Sequence, residues 1–165
     1  MKSPPFHIRA FEPGDADRVA DIFFRSVREV AKSRYDEAQI EAWISSVPEP
    51  SKWLPYLIAF YTYLAIDEYD EAVAWISMRA DGYIDMLFCL PEAVGRGAAG
   101  QLYETVERIA TELGLSRMTA HASLFAQPFF AKRGWKVEQH EVHVQNGVDI
   151  PRATMWKDLA LQTTV

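Results

Sequence analysis

Apolar positions along this chain change period several times, and each change marks an element. A short strand over Phe6 to Ala10 precedes the turn Glu12-Pro13-Gly14-Asp15. Beyond it, Val19, Ile22, Phe23, Val27 and Val30 recur at helical spacing and predict a helix with one core-facing side. Asp36 and Gln39 stand three apart, as in a capping box. A second short helix is therefore expected to carry Ile40, Trp43 and Ile44 and to end before Pro48. The Pro-rich stretch through Pro50 reads as a loop, and Trp53 to Leu57 is ambiguous.

From Phe60 the pattern turns to β. Phe60 to Ile66, Ala72 to Met78 and Tyr83 to Leu90 are separated by Asp67-Glu68-Tyr69-Asp70 and Ala80-Asp81-Gly82, connections short enough for antiparallel hairpins. A helix burying Leu102, Val106, Ile109 and Leu113 then stops at Gly114, and Arg117 to Ala122 follows as a strand. A helix of that length between two strands joins parallel neighbours. Phe125 to Arg133 reads as a brief helix with Pro128 in its first turn, and strands near Val137 to Val144 and Val148 to Leu159 complete the chain. The expectation is one α/β domain, 1–165, with no repeat or linker dividing it.

Composition narrows the function classes. Of the 165 residues 49% are hydrophobic and 24% charged, with eight glycines and nine prolines, which excludes a collagenous, low-complexity or disordered chain. A single cysteine, Cys89, excludes an internal disulfide framework and a multi-cysteine zinc site, and it fits a reducing cytosol. The start, MKSPPFHIRA, lacks the apolar segment of a secretory signal. The longest uncharged run, Trp53 to Ile66, contains Pro55 and falls short of the ~20 residues that span a membrane. A cytoplasmic protein with no membrane partner is expected. A net charge of −6 without clustered Lys and Arg argues against nucleic acid and mildly favours cationic small partners. The acidic turn Asp67 to Glu71 is either a solvated hairpin tip or a lure for such a partner.

The most informative stretch is YIDMLFCLPEAVGRGAAGQL, residues 83–102, where a strand meets glycines and the glycines meet a helix. Small residues let a ligand approach the backbone, and unpaired N–H groups at a helix start attract phosphate oxygens. Gly95, Gly97 and Gly100 spell the dinucleotide fingerprint, but Leu90 to Val94 intervene after the strand, the preceding strands are hairpins, and no acidic residue stands in Ser116 to Ala122. A nucleotide triphosphate loop is disfavoured because Gln101, not Lys, follows Gly100.

Three motifs in order carry a resemblance. Leu90-Pro91-Glu92 precedes Val94-Gly95-Arg96-Gly97-Ala98-Ala99, a small-polar and aromatic stretch runs from Ala122 to Trp135, and Met155-Trp156-Lys157-Asp158-Leu159 ends the last strand. Together they resemble the GNAT superfamily of acyl-CoA-dependent N-acyltransferases over nearly the whole length. YIDMLF, RG, PFF and RGW are also similar to its bacterial YafP-like branch. Two positions depart from the family pattern: Val94 replaces Gln or Arg, and Phe130 replaces a tyrosine that often protonates the departing thiolate.

The resemblance implies a predominantly antiparallel mixed sheet with a parallel, splayed central strand pair, acetyl-CoA as co-substrate, no metal, and a small-molecule or peptide amine as acceptor. It implies that Leu87, Phe88 and Cys89 pair with the pantetheine arm as though it were another strand. Val94, Gly95, Arg96, Gly97, Ala98, Ala99 and Gly100 hold the pyrophosphate by this reading, and Ser123 binds pantetheine, organises the splay or caps a turn. A proton acceptor must relieve the attacking ammonium. Asp85, which interrupts an apolar strand, is the first candidate, and His121 on the adjacent strand is the second. Glu92 is read as shaping its turn and Cys89 as a small buried hydrophobe, with an acyl-enzyme role as its alternative. His140 and His143, three apart in a strand, point to opposite faces and make no metal pair. Lys132 and Arg133 reach a phosphate or complement a helix dipole, and one or two of Phe23, Phe24, Tyr35, Trp43 and Trp53 line an acceptor pocket. A CoA-binding module without efficient turnover, motivated by Phe130, stands as the alternative, and a homodimer is left open.

Overall fold

A computed structural model of the chain describes residues 5–46 and 49–160. Seven strands form one sheet: β1 His7–Ala10, β2 Tyr61–Ile66, β3 Ala72–Met78, β4 Tyr83–Cys89, β5 Arg117–Ser123, β6 Lys136–Gln145 and β7 Val148–Asp158, in the spatial order β1-β2-β3-β4-β5-β7-β6. Every neighbouring pair is antiparallel except β4 and β5, which run parallel across the helix between them. Five α-helices flank the sheet: α1 Ala16–Arg25, α2 Glu37–Ser45, α3 Pro50–Ala59, α4 Ala98–Glu112 and α5 Gln127–Ala131.

Strand β3 is buried at every position, so both faces of the sheet are covered there. On one face Trp75 meets Trp53 of α3 at 5.8 Å between ring centroids, and Phe23 of α1 meets Phe88 of β4 edge-on at 4.9 Å. On the other lies α4, which buries Leu102 and Val106. Full burial of each such side chain contributes about 1.5–3 kcal/mol.

Local signals account for most boundaries. Asp36 accepts from the Gln39 N–H at 2.8 Å while Gln39 returns a contact to the Asp36 N–H, the capping box that starts α2. Pro48, the expected limit of that helix, lies outside the described residues, as do residues 1–4 of the amino-terminal stretch.

Three expectations are corrected. Pro50 to Leu57 is helical, because Pro50 occupies the first turn, where its missing N–H costs nothing, and Trp53 and Leu57 bury one turn apart. The first helix does not run evenly to Val30: a π turn over Ser26–Val30 and a 3₁₀ turn over Ala31–Ser33 follow α1, and Val30 is only half-buried. Leu113 is exposed: α4 ends at Glu112, and Leu113 follows it as the C-cap residue. The uncharged run Trp53 to Ile66 is divided between α3 and β2, and no helix among the described residues is long and apolar enough to cross a membrane.

Candidate active site

The parallel pair β4–β5 is joined over two positions, Tyr83↔Thr119 and Ile84↔Ala120. Further along, β4 stays paired to β3 through Cys89, and β5 stays paired to β7 through Ser123, yet the two strands no longer pair with each other. A wedge therefore opens, with the β4 edge from Asp85 to Cys89 on one side and His121 to Ser123 on the other. The separation begins at a bulge. Ser77 pairs with Met86 and Met78 with Ile84, so Asp85 is one residue more than β3 can match, and such an insertion bends its strand.

The wide end of the wedge meets the glycine segment. Gly95 and Gly97 hold φ of 81° and 95°, conformations that only glycine adopts cheaply, and a Cβ at either would meet nothing within 4 Å. The first helical bond of α4 runs from Gln101 N–H to Gly97 carbonyl at 3.1 Å, and no side chain caps Gly97. The N–H groups of Ala98, Ala99 and Gly100 accordingly have no acceptor within the helix. Arg133 adds a cation at this point: its Nη2 lies 2.9 Å from where a Gly100 Cβ would stand. Its guanidinium stacks 3.7 Å over the Phe129 ring, and Nη1 donates to the Phe129 carbonyl at 3.0 Å. A helix start with free donors and an adjacent guanidinium suits a diphosphate.

Two hollows connect the glycine mouth to the bulge. A trough of about 100 Å³ touches Val94, Ala99, Cys89 and Leu87, together with Val27 and Val30 from the turns after α1. It shares Trp43, Leu87, Phe88, Ser123 and Ala126 with an inner cavity of about 270 Å³ that also touches Asp85, His121, Tyr35, Phe130 and Arg152. Of the candidate cofactor residues, Leu87, Phe88, Cys89, Val94, Ala99 and Ser123 border these two adjoining hollows, as do both candidate proton acceptors, whereas Gly95, Arg96, Gly97, Ala98 and Gly100 line neither.

Asp85 sits 3.5 Å from the Arg79 guanidinium, a long ion pair, with its side chain 26% exposed. Burial raises its pKa above the ordinary aspartate range, and the charge of Arg79 only partly opposes this. His121 Nδ1 lies 3.1 Å from the Tyr83 hydroxyl. Burial, reinforced by the positive charge of Arg152, lowers the His121 pKa, so the imidazole is held unprotonated near neutral pH. Tyr83 is a site residue that the sequence reading did not single out; its hydroxyl, whose pKa burial raises, finds its partner 38 residues away.

Other expectations resolve individually. Ser123 Oγ accepts from the Ala126 N–H at 3.1 Å, a turn-capping contact, while the residue lines both hollows. Burial pushes the Cys89 thiol up to about 11, so it is no nucleophile near neutral pH. Glu92 is held in a two-pronged pair by Arg25 at 2.9 and 3.0 Å and fastens the end of α1 to the glycine turn. Of the five aromatic residues expected at an acceptor pocket, Tyr35 and Trp43 line the inner cavity and Phe23, Phe24 and Trp53 do not. The Tyr35 hydroxyl donates to the Pro151 carbonyl at 2.6 Å and accepts from the Leu124 N–H at 2.9 Å, tying β7 to the end of β5. The acidic turn borders neither hollow: Asp67 accepts from the Tyr69 and Glu71 N–H groups at a hairpin tip. Phe130, 3% exposed, packs on Trp135 at 4.6 Å and offers no proton. No group of three or more His, Cys, Asp or Glu that could hold a metal ion occurs among the described residues.

Comparison with known proteins agrees with this architecture. The family model for the acetyltransferase (GNAT) domain matches residues 31–155. The uncharacterized N-acetyltransferase YafP of Escherichia coli K12 is 36% identical over 136 residues, 82% of this chain and 85% of that protein. Among solved structures, a GCN5-related N-acetyltransferase from Rhodopseudomonas palustris superposes with a TM-score of 0.89 at 32% identity, covering 96% of this chain and 99% of that one. The PaiA N-acetyltransferase of Thermoplasma acidophilum, solved with coenzyme A, shares the fold with a TM-score of 0.76 at 18% identity, over 93% and 99% of the two chains. With parted strands, an uncapped glycine mouth and relatives of this kind, the chain belongs to the GNAT family of N-acetyltransferases.

Proposed function

We propose that this N-acetyltransferase moves the acetyl group of acetyl-CoA directly to an amine held in the inner cavity, within one ternary complex. The parting of β4 from β5 carries the reading, because it exposes a strand edge on a path from an anion-binding helix start to two titratable groups. The N–H groups of Gly95, Gly97, Ala98, Ala99 and Gly100, with Arg133 beside them, bind the pyrophosphate, while the Arg96 N–H is engaged by the Ala93 carbonyl at 3.2 Å. The edge Leu87 to Cys89 takes the pantetheine arm as an added strand. A backbone N–H near Leu87 or Phe88 faces the thioester oxygen and stabilises the charge that develops there.

Acetyl-CoA supplies a thioester that the amine nitrogen attacks; the C–N bond forms and the C–S bond breaks. Asp85, with a pKa raised towards the working range, takes the proton that the ammonium must lose, and His121, unprotonated, is the second acceptor. The second proton, lost from nitrogen as the amide forms, reaches the departing thiolate through water, since Phe130 has none to give. A thiol-release assay with acetyl-CoA and a mixed amine panel tests the proposal. Release with intersecting initial-velocity patterns supports direct transfer; parallel patterns refute it, and CoA binding without release on any amine refutes turnover. The alternative of a binding module draws no support from relatives described as N-acetyltransferases.

A further inference from the structure

Arg152 is the group in the inner cavity that acetyl transfer leaves without a task. Register places it opposite Ser123 on β5 and opposite Glu141 on β6, on the sheet face shared by His121 and His143. Its side chain is 29% exposed and borders a cavity whose lining combines the aromatic Tyr35, Trp43 and Phe88 with the polar Asp85, His121 and His143. Nε donates to Glu141 Oε1 at 2.6 Å, which fixes the plane of the guanidinium. Nη1 and Nη2 have no acceptor among the described residues, in contrast to Arg9, whose two terminal nitrogens both engage Asp15.

We infer that the acceptor amine carries an oxyanion, a carboxylate in the simplest form, and that the two terminal nitrogens of Arg152 receive it. The inference rests on the acetyl-transfer reading and names its substrate class. A guanidinium anchored through Nε presents its remaining fork to a planar oxyanion, the geometry in which arginine outperforms lysine. Acetyl-CoA does not fill this role, because its phosphates belong at the glycine mouth and the arm that reaches the cavity is uncharged. Asp85 stands on β4, across the wedge from Arg152 on β7, so the cavity offers a base for an ammonium and a cation for an anion on separate walls. At about 270 Å³ the cavity lies just below the ~300 Å³ at which pockets for drug-sized ligands begin, which suits an amine of amino-acid size.

Matched acceptors test this on the full chain with acetyl-CoA: phenylalanine against phenethylamine, methionine against 3-(methylthio)propylamine, and the phosphonate analogue of phenylalanine as a second oxyanion. The acid members should be preferred by about 10- to 100-fold in kcat/KM, the worth of a charge-assisted hydrogen bond. Arg152→Met should remove that preference, with CoA calorimetry confirming a folded variant. Should the variant not fold, the wild-type protein decides: 3-phenylpropionate should compete with the acceptor while 3-phenylpropanol does not. Equal rates for acid and bare amine, a preference that survives Arg152→Met, or equal competition by acid and alcohol overturns the inference and leaves acetyl transfer standing. Thiol release with no amine of either kind overturns both.

Discussion

Replacing Gly97 with Ala separates backbone geometry at the glycine mouth from everything else in the fold. Gly97 sits at φ 95°, ψ 1°, immediately before α4, and a new Cβ there would meet nothing within 4 Å. Neither a clash nor a packing gain enters, so the cost is that of placing an L residue in the left-handed region, about 1–2 kcal/mol. For a domain of this size each kcal/mol moves the melting temperature by roughly 2–4 °C, so a fall of about 2–8 °C is expected in a thermal scan. Relief of that strain rotates the peptide and re-aims the N–H groups that start α4. Loss of one charge-assisted bond at about 1.5–3 kcal/mol weakens CoA binding by roughly 10- to 100-fold in calorimetry. Gly14→Ala is the control: it is also in open space, lies in an ordinary turn with no positive φ, and should be neutral or slightly stabilising. A Gly97→Ala protein that melts and binds CoA like the wild type would refute the account of the mouth.

Further outcomes follow from the cavity. Asp85→Asn should lower kcat by about 10²- to 10⁴-fold, the usual contribution of a general base, while CoA affinity stays near the wild-type value; loss of CoA affinity alone would assign Asp85 to binding. The same variant should be the more stable protein at pH 7. The folded-state pKa of Asp85 is raised, so its contribution is favourable below the ordinary aspartate pKa and is lost as pH rises through the folded value. A melting difference that vanishes towards pH 3 checks the sign. Tyr83→Phe deletes the contact to His121 Nδ1 and should shift the pH–rate profile if His121 accepts the proton, whereas an unmoved profile removes His121 from that role. Cys89, raised from 9.0 to about 11, should react with iodoacetamide at pH 7.5 about 100-fold more slowly than a free thiol of ordinary pKa, and an ordinary rate would contradict its burial.

What sequence pattern reveals here divides by the range of the cause. The apolar runs of β2 to β4 between short turns, the Asp36–Gln39 capping box and the glycines before α4 have steric or hydrogen-bonding causes within a few residues, and each stands where the pattern places it. Helix α3 is masked because Pro50 and Pro55 read as breakers, although one is a first-turn proline and the buried pair Trp53 and Leu57 holds the segment against α1. Asp85 could be noticed as an acid in an apolar strand, but the bulge that explains it is a mismatch with β3, set by tertiary register. The Tyr83–His121 and Arg152–Glu141 contacts join residues on different strands, and no spacing along the chain encodes them.

The bulge at Asp85 also constrains how the chain can change. Because Ile84 pairs with Met78 and Met86 with Ser77, removal of that single residue would restore regular alternation and leave every neighbour on its present face of the sheet. The interior would tolerate such a shortening, while the carboxylate and the bend would vanish in one step. Such a deletion would close the cleft and remove the proton acceptor together, whereas Asp85→Asn removes the carboxylate and keeps the bulge.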